Sequence, residues 1–189
     1  MQSDELDALA ATAARVAAAG GAAALAHFRS DALATEDKGG PGEFDPVTRA
    51  DREAEAAMRH VLAAERPGDG ILGEEEARRE GTSGLTWVID PIDGTRAFIS
   101  GLPTWGVLVG LDDGMSGRVG VIDQPYMGER FIGVPGRGAW LERGGRRHPL
   151  AVRATERLSE ATLFTTAPEM FEGADAERFA AVRREVRLC

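Results

Sequence analysis

Apolar positions follow two rhythms along the chain. In the first part they recur at helical spacing. Leu6, Leu9, Val16, Leu25 and Phe28 form a loose stripe over residues 4–29, with Ser3 placed to cap it and Asp4 and Glu5 in its first turn. Gly20-Gly21 breaks this stripe and predicts a weakened or bent helix. A polar, Gly/Pro-rich loop is expected over 35–46. A second helix is predicted from Arg49 to Glu65, with Met58, Val61 and Leu62 on its apolar face. Thr48 and Asp51 have capping-box spacing at its start, and Pro67-Gly68 ends it.

Beyond residue 80 the pattern changes to short apolar blocks. Leu85 to Ile89 reads as a strand, and the unbroken run Gly106 to Leu111 as a strand buried on both faces. Val119 to Gln124 and Arg130 to Val134 form one predicted hairpin. Ala139 to Glu142 and His148 to Val152 form another, turning at Gly144-Gly145. Leu163 to Thr166 is a further predicted strand. Asp175 to Leu188 is a predicted helix with Phe179, Val182 and Val186 on one side. Two helices followed by mostly antiparallel strands make an α+β layered architecture rather than a βαβ alternation.

Composition narrows this picture. With 189 residues, 43% hydrophobic and 28% charged, the chain suits one soluble globular domain over 1–189. A net charge of −9 argues against nucleic acid as a partner, since phosphate backbones are held by clustered Lys and Arg. It leaves room for a small phosphorylated metabolite, because bound cations invert a local field. Cys189 is the lone cysteine, so neither an intrachain disulfide nor a zinc-type cluster is expected. The apolar stretches read as too short for a membrane span. The acidic N-terminal residues are wrong for a targeting segment, which makes a cytoplasmic location the expectation.

The candidate chemistry lies in acids. Asp90 and Asp93 flank Pro91 and Ile92 at the end of a predicted strand. The proline interrupts sheet pairing, and the turn behind it can aim both carboxylates and the Ile92 carbonyl at one point. Glu74 and Glu75 approach from another loop. Such a cluster is costly unless cations neutralise it. Hard oxygen donors of this kind suit two or more Mg²⁺ ions, which activate water toward a phosphoryl group. Thr95 follows Gly94 at a predicted helix start, where N–H groups and a hydroxyl suit phosphate, and Asp51 is placed to orient that hydroxyl. Each piece has a plainer meaning. Asp-Pro and Asp-Gly are common turns, Glu74 to Glu76 alone reads as a solvated face, and Thr48 with Asp51 as a helix cap. His27, His60 and His148 lack ligand spacing, and Trp87 and Trp105 read as core.

The ordered combination is what carries weight: Asp45-Pro46-Val47-Thr48 with Asp51, then Gly73-Glu74-Glu75, then Trp87-Val88-Ile89-Asp90-Pro91-Ile92-Asp93-Gly94-Thr95. It resembles the inositol monophosphatase family of Mg²⁺-dependent, Li⁺-sensitive phosphatases over essentially the whole chain. The resemblance implies the first part of a layered α/β/α/β/α sugar-phosphatase fold, two N-terminal helices packing on a largely antiparallel sheet. It implies two or three Mg²⁺ ions, with Glu74, Asp90 and the Ile92 carbonyl on the first, Asp90 and Asp93 on the second, and Glu74 on a weaker third. It places Asp93, Gly94 and Thr95 against substrate, makes Asp51 and Thr95 the water-activating pair with Glu74 beside them, and sets Lys38 in a loop near the site. The continuation Arg96 to Gly106 resembles the histidinol-phosphatase branch. Inositol 1-phosphate or a related sugar phosphate is the alternative substrate, and a homodimer is the family habit. The family's later Trp-Asp-x-Ala-Ala motif has no match, so a fragment with weak or no turnover, acting as a metal- and phosphate-binding module, is a further expectation.

Overall fold

The computed structural model describes residues 3–30, 35–37 and 46–189, the side chains of residues 3, 35–37 and 46–48 excepted. Lys38 and Asp45 lie outside the described residues, as do the Ser3 and Thr48 capping side chains. Residues 1–150 and 151–189 are two compact units.

The first unit opens with α1 (Ser3–His27), one continuous helix. Its buried face is built mostly of alanine: Leu9, Ala10, Ala13, Val16, Ala17 and Ala24 are inside, whereas Leu25 is 36% exposed. The bend expected at Gly20-Gly21 does not occur. A Cβ on Gly20 would stand 2.7 Å from Met58 Sδ, and one on Gly21 2.9 Å from Asp123 Oδ2. The two glycines are therefore points of close approach to neighbouring elements. α1 is long and apolar enough, by length and composition, to cross a bilayer, contrary to the expectation from its sequence. Half of that stretch is buried inside the fold instead.

β1 (Thr35–Asp37) and β2 (Pro46–Thr48) pair antiparallel where a loop was predicted. α2 (Arg49–Glu65) has the predicted bounds. Met58 and Leu62 are buried in it, and so are two acids one turn apart, Asp51 at 3% and Glu55 at 0% exposure. α1 and α2 pack on each other and on the inner face of the sheet.

That sheet has seven strands in sequence order: β3 (Gly70–Leu72), β4 (Thr86–Asp93), β5 (Gly106–Asp112), β6 (Gly117–Gln124), β7 (Glu129–Val134), β8 (Gly138–Arg143) and β9 (Arg146–Leu150). Every neighbouring pair is antiparallel except β3 with β4, which is parallel, with Ile71 opposite Trp87. β3 has three residues and no strand-length pattern, so the sequence did not predict it. Trp87, Ile89, Val107, Val109, Leu111, Val119, Val121, Ile132 and Val134 alternate into the core. β5 is consequently not buried on both faces: Leu108 and Gly110 on its other side are only half-buried. β9 starts two residues earlier than predicted, because the two-residue turn at Gly144-Gly145 sets Arg146 opposite Arg143.

In the second unit, α4 spans Gly173–Glu185 and two 3₁₀ turns span Leu158–Glu160 and Pro168–Met170. The strand predicted at Leu163–Thr166 is reduced to a single bridge, Thr162 to Leu188. Phe179 of α4 stacks on Phe171 at 4.7 Å, but no residue of this unit is buried.

Candidate metal centre

The sequence Asp90-Pro91-Ile92-Asp93-Gly94-Thr95 lies where β4 runs into α3 (Thr95–Ile99). Trp87 and Ile89 anchor the strand in the core, and Pro91 and Ile92 are buried as well. Regular pairing with β5 runs to Asp90 opposite Leu108, slips at Pro91, and resumes at Asp93 opposite Gly106. A proline has no N–H to donate, so the ladder loses its rung there. The Ile92 N–H turns back and donates to Asp90 Oδ1 at 3.1 Å, fixing that carboxylate. Gly94 then reverses the chain with φ +86, and a Cβ on it would sit 3.0 Å from the Thr104 carbonyl. Thr95 Oγ1 donates to the Ile92 carbonyl at 3.1 Å. That carbonyl keeps a second lone pair for another partner.

Asp90 is half-buried while Asp93 and Glu74 are exposed. Burial, the charge of Glu74 and the charge of Asp93 push the Asp90 carboxyl up to about 7. The structure thus brings Glu74, Asp90 and Asp93 into one field, beside the Ile92 carbonyl. Among the described residues, no three His, Cys, Asp or Glu side chains stand placed to hold an ion together. The donor set is nevertheless all hard oxygen, three carboxylates and a carbonyl with one lone pair to give, and this fits Mg²⁺ by chemistry. Asp51 lies buried in the first turn of α2.

Glu74 is placed by residues that sequence reasoning missed. Glu55, wholly buried on α2, accepts from the Glu74 N–H at 3.0 Å, the Glu75 N–H at 2.7 Å and the Glu76 N–H at 3.1 Å. Arg59, one turn on, donates to Glu55 Oε1 at 2.8 Å and to the Glu76 carbonyl at 3.0 Å. The available signal was the four-residue spacing from Asp51 to Glu55 to Arg59 on one helix face. Glu75, expected to approach beside Glu74, is half-buried in this loop.

A second buried acid steadies the start of the sheet. Asp69, 2% exposed, accepts from Trp87 Nε1 at 2.9 Å and from Arg66 Nε at 2.7 Å. Burial alone would raise its carboxyl, but bonds from Arg66, Ser83 and Trp87 together hold it below the usual range. Phe98 of α3 and Trp105 meet edge to face with centroids 4.9 Å apart, and Phe28, just beyond α1, packs on both. Trp87 and Trp105 are core residues, as expected. His27 Nε2 lies 2.7 Å from Glu53 Oε2, an ion-pair position rather than a ligand cluster.

The chain as a whole is similar to known proteins. Over nearly its whole length the chain aligns with the bifunctional chloroplast phosphatase IMPL2 of Arabidopsis thaliana, at 36% identity over 97% of this chain and 51% of that protein. The histidinol-phosphatase of Mycobacterium tuberculosis is 42% identical over 64% of this chain and 47% of its own length. The chain therefore spans about half the length of these curated relatives. Among solved structures, an inositol monophosphatase from Zymomonas mobilis superposes with a TM-score of 0.78 at 36% identity, over 100% of this chain and 70% of that one. The extragenic suppressor protein suhB from Bartonella henselae gives 0.80 at 25% identity, over 96% and 69%. The model of the inositol monophosphatase family matches residues 5–187, and the chain belongs to that family.

Proposed function

We propose that the chain carries the metal- and phosphate-binding part of a Mg²⁺-dependent phosphomonoester hydrolase, acting on histidinol phosphate. The observation that carries the reading is the gathering of Glu74, Asp90 and Asp93 in one electrostatic field at the end of β4, a concentration of like charge that a counter-cation would neutralise. Glu74, Asp90, Asp93 and the Ile92 carbonyl are the proposed ligands for two or three ions. When bound, the ions supply the positive charge that steadies a phosphoryl group and acidifies a neighbouring water. Gly94 lets the backbone come close to a phosphate, and its neighbour Thr95 presents a hydroxyl that releases Ile92 to hold substrate. Asp51, buried in the first turn of α2, is the proposed acceptor that orients this hydroxyl or the attacking water, with Glu74 beside it.

The histidinol-phosphate assignment rests on the run Arg96 to Gly106 and on relatives named histidinol-phosphatase at 42% and 40% identity. Inositol 1-phosphate is the second reading, favoured by a Caulobacter vibrioides relative named inositol-1-monophosphatase, 40% identical over 67% of this chain. Phosphate release from both esters by the purified chain, with Mg²⁺ and with a chelator, decides between them. Faster Mg²⁺-dependent release from histidinol phosphate is expected. Preference for inositol 1-phosphate would reverse the assignment. Metal binding without release from either would make this chain a binding part only.

A further inference from the structure

The acidic loop after β3 is short of regular structure, yet it must present Glu74 to Asp90. Three successive N–H groups, of Glu74, Glu75 and Glu76, converge on one carboxylate, that of Glu55. Such a run of N–H groups forms a concavity suited to an anion. Here the anion is built into the fold, on an element independent of the loop. The fit is close: a Cβ on Gly73 would stand 2.1 Å from Glu55 Oε1 and 2.8 Å from Arg59 Nη2. Arg59 closes the clamp from the other side, holding Glu55 through Nε and the Glu76 carbonyl through Nη2. Glu55 is fully buried and its Arg59 partner is 13% exposed, so solvent screens this pair little.

We infer that Glu55, clamped by Arg59, is a positioning residue for the metal centre: it fixes the backbone of residues 74–76 so that the Glu74 carboxylate faces Asp90. This rests on the reading of Glu74 and Asp90 as metal ligands. The physical need is clear. Two carboxylates repel, and a loop free to relax would carry Glu74 away from Asp90 in the metal-free chain. The bonds to Glu55 hold the backbone against that repulsion, so the loop keeps its place before a cation arrives. Groups supporting metal ligands in this way typically alter affinity by about 10–100-fold when removed.

Glu55→Gln keeps the size but sets an amide N–H₂ against loop N–H groups. Mn²⁺ affinity is measured by the loss of free-ion EPR signal, alongside amide hydrogen exchange at residues 74–76, on the full chain at a temperature where circular dichroism shows both proteins folded. Affinity weaker by about tenfold or more, with faster exchange confined to 74–76, is expected. A folded Glu55→Gln protein with parental affinity overturns the inference, whatever its activity. If the parent itself binds no Mn²⁺, the ligand reading has failed and the inference falls with it, a result distinct from parental affinity in the variant. Should Glu55→Gln not fold, Arg59→Gln decides: it removes the guanidinium bonds to Glu55 and to the Glu76 carbonyl but keeps the Glu55 carboxylate that accepts from the three N–H groups. Mn²⁺ binding weakened about threefold or more supports positioning, and unchanged binding overturns it.

Discussion

At Asp90, burial and the charges of Glu74 and Asp93 act in the same direction, from an ordinary value of 3.8 up to about 7. The sign follows from proton counting. Between those values the folded chain holds a proton that the unfolded chain has lost, so stability is full below about pH 4 and falls as pH rises toward 7. We predict that, in chelator, Asp90→Asn melts higher than the parent at pH 8 and equally near pH 4. The gap should be about 2 kcal/mol, discounted for partial exposure. With excess Mg²⁺ the order should invert, because binding stabilises only the chain that keeps its ligand. Equal melting of the two proteins at pH 8 in chelator would show that the carboxylates do not repel as described. The acids of this cluster are legible in sequence because Asp90 to Thr95 are contiguous and their turn chemistry is local. Glu55 is not legible in the same way. Periodicity assigns a glutamate on a polar helix to solvent, and only the folded loop brings three N–H groups to it.

At the scale of elements, α2 and the antiparallel hairpins follow directly from periodicity and turn residues. The departures share a cause, since each depends on a neighbour that the local pattern does not contain. Gly20-Gly21 reads as a helix breaker, yet Met58 and Asp123 make it a packing surface. β3 is too short for a pattern and exists because β4 lies beside it. Asp69 just before β3 supplies the tie, receiving both Trp87 of β4 and Arg66 beyond α2. Its carboxyl is held below the usual range, so its contribution is full above the unfolded value of 3.8 and is lost as pH falls through the lower folded value. Asp69→Asn is expected to lower stability at pH 7 by about 1.5–3 kcal/mol, the range for hydrogen bonds to charged groups. In urea melts, the gap between parent and variant should narrow as pH is taken from 5 to 3. A constant gap would mean that Asp69 acts by shape and not by charge.

At the scale of the whole molecule the two units differ in kind. Among the described residues, every buried hydrophobic side chain, from Leu9 to Val134, lies within 1–150. Residues 151–189 enclose none: Val152 is 97% exposed, Phe164 82% and Met170 70%. The apolar pairing inside that unit is Phe171 on Phe179, and its termini are tied by main-chain bonds such as Leu163 N–H to the Leu188 carbonyl at 2.8 Å. A unit without buried side chains gains little from the hydrophobic effect, so it opens locally at low cost in free energy. Strands β3 to β7, by contrast, open only when the core they share with α1 and α2 is lost. Limited trypsin digestion separates these cases, because Arg153 and Arg157 are exposed at the start of the second unit while Arg146 and Arg147 are paired in β9. Cleavage is expected at Arg153 or Arg157 before Arg146 or Arg147, with amide exchange in α4 faster than in β4–β7 by orders of magnitude. Equal protection of α4 and the central strands would show that the second unit draws stability from contacts beyond its own residues.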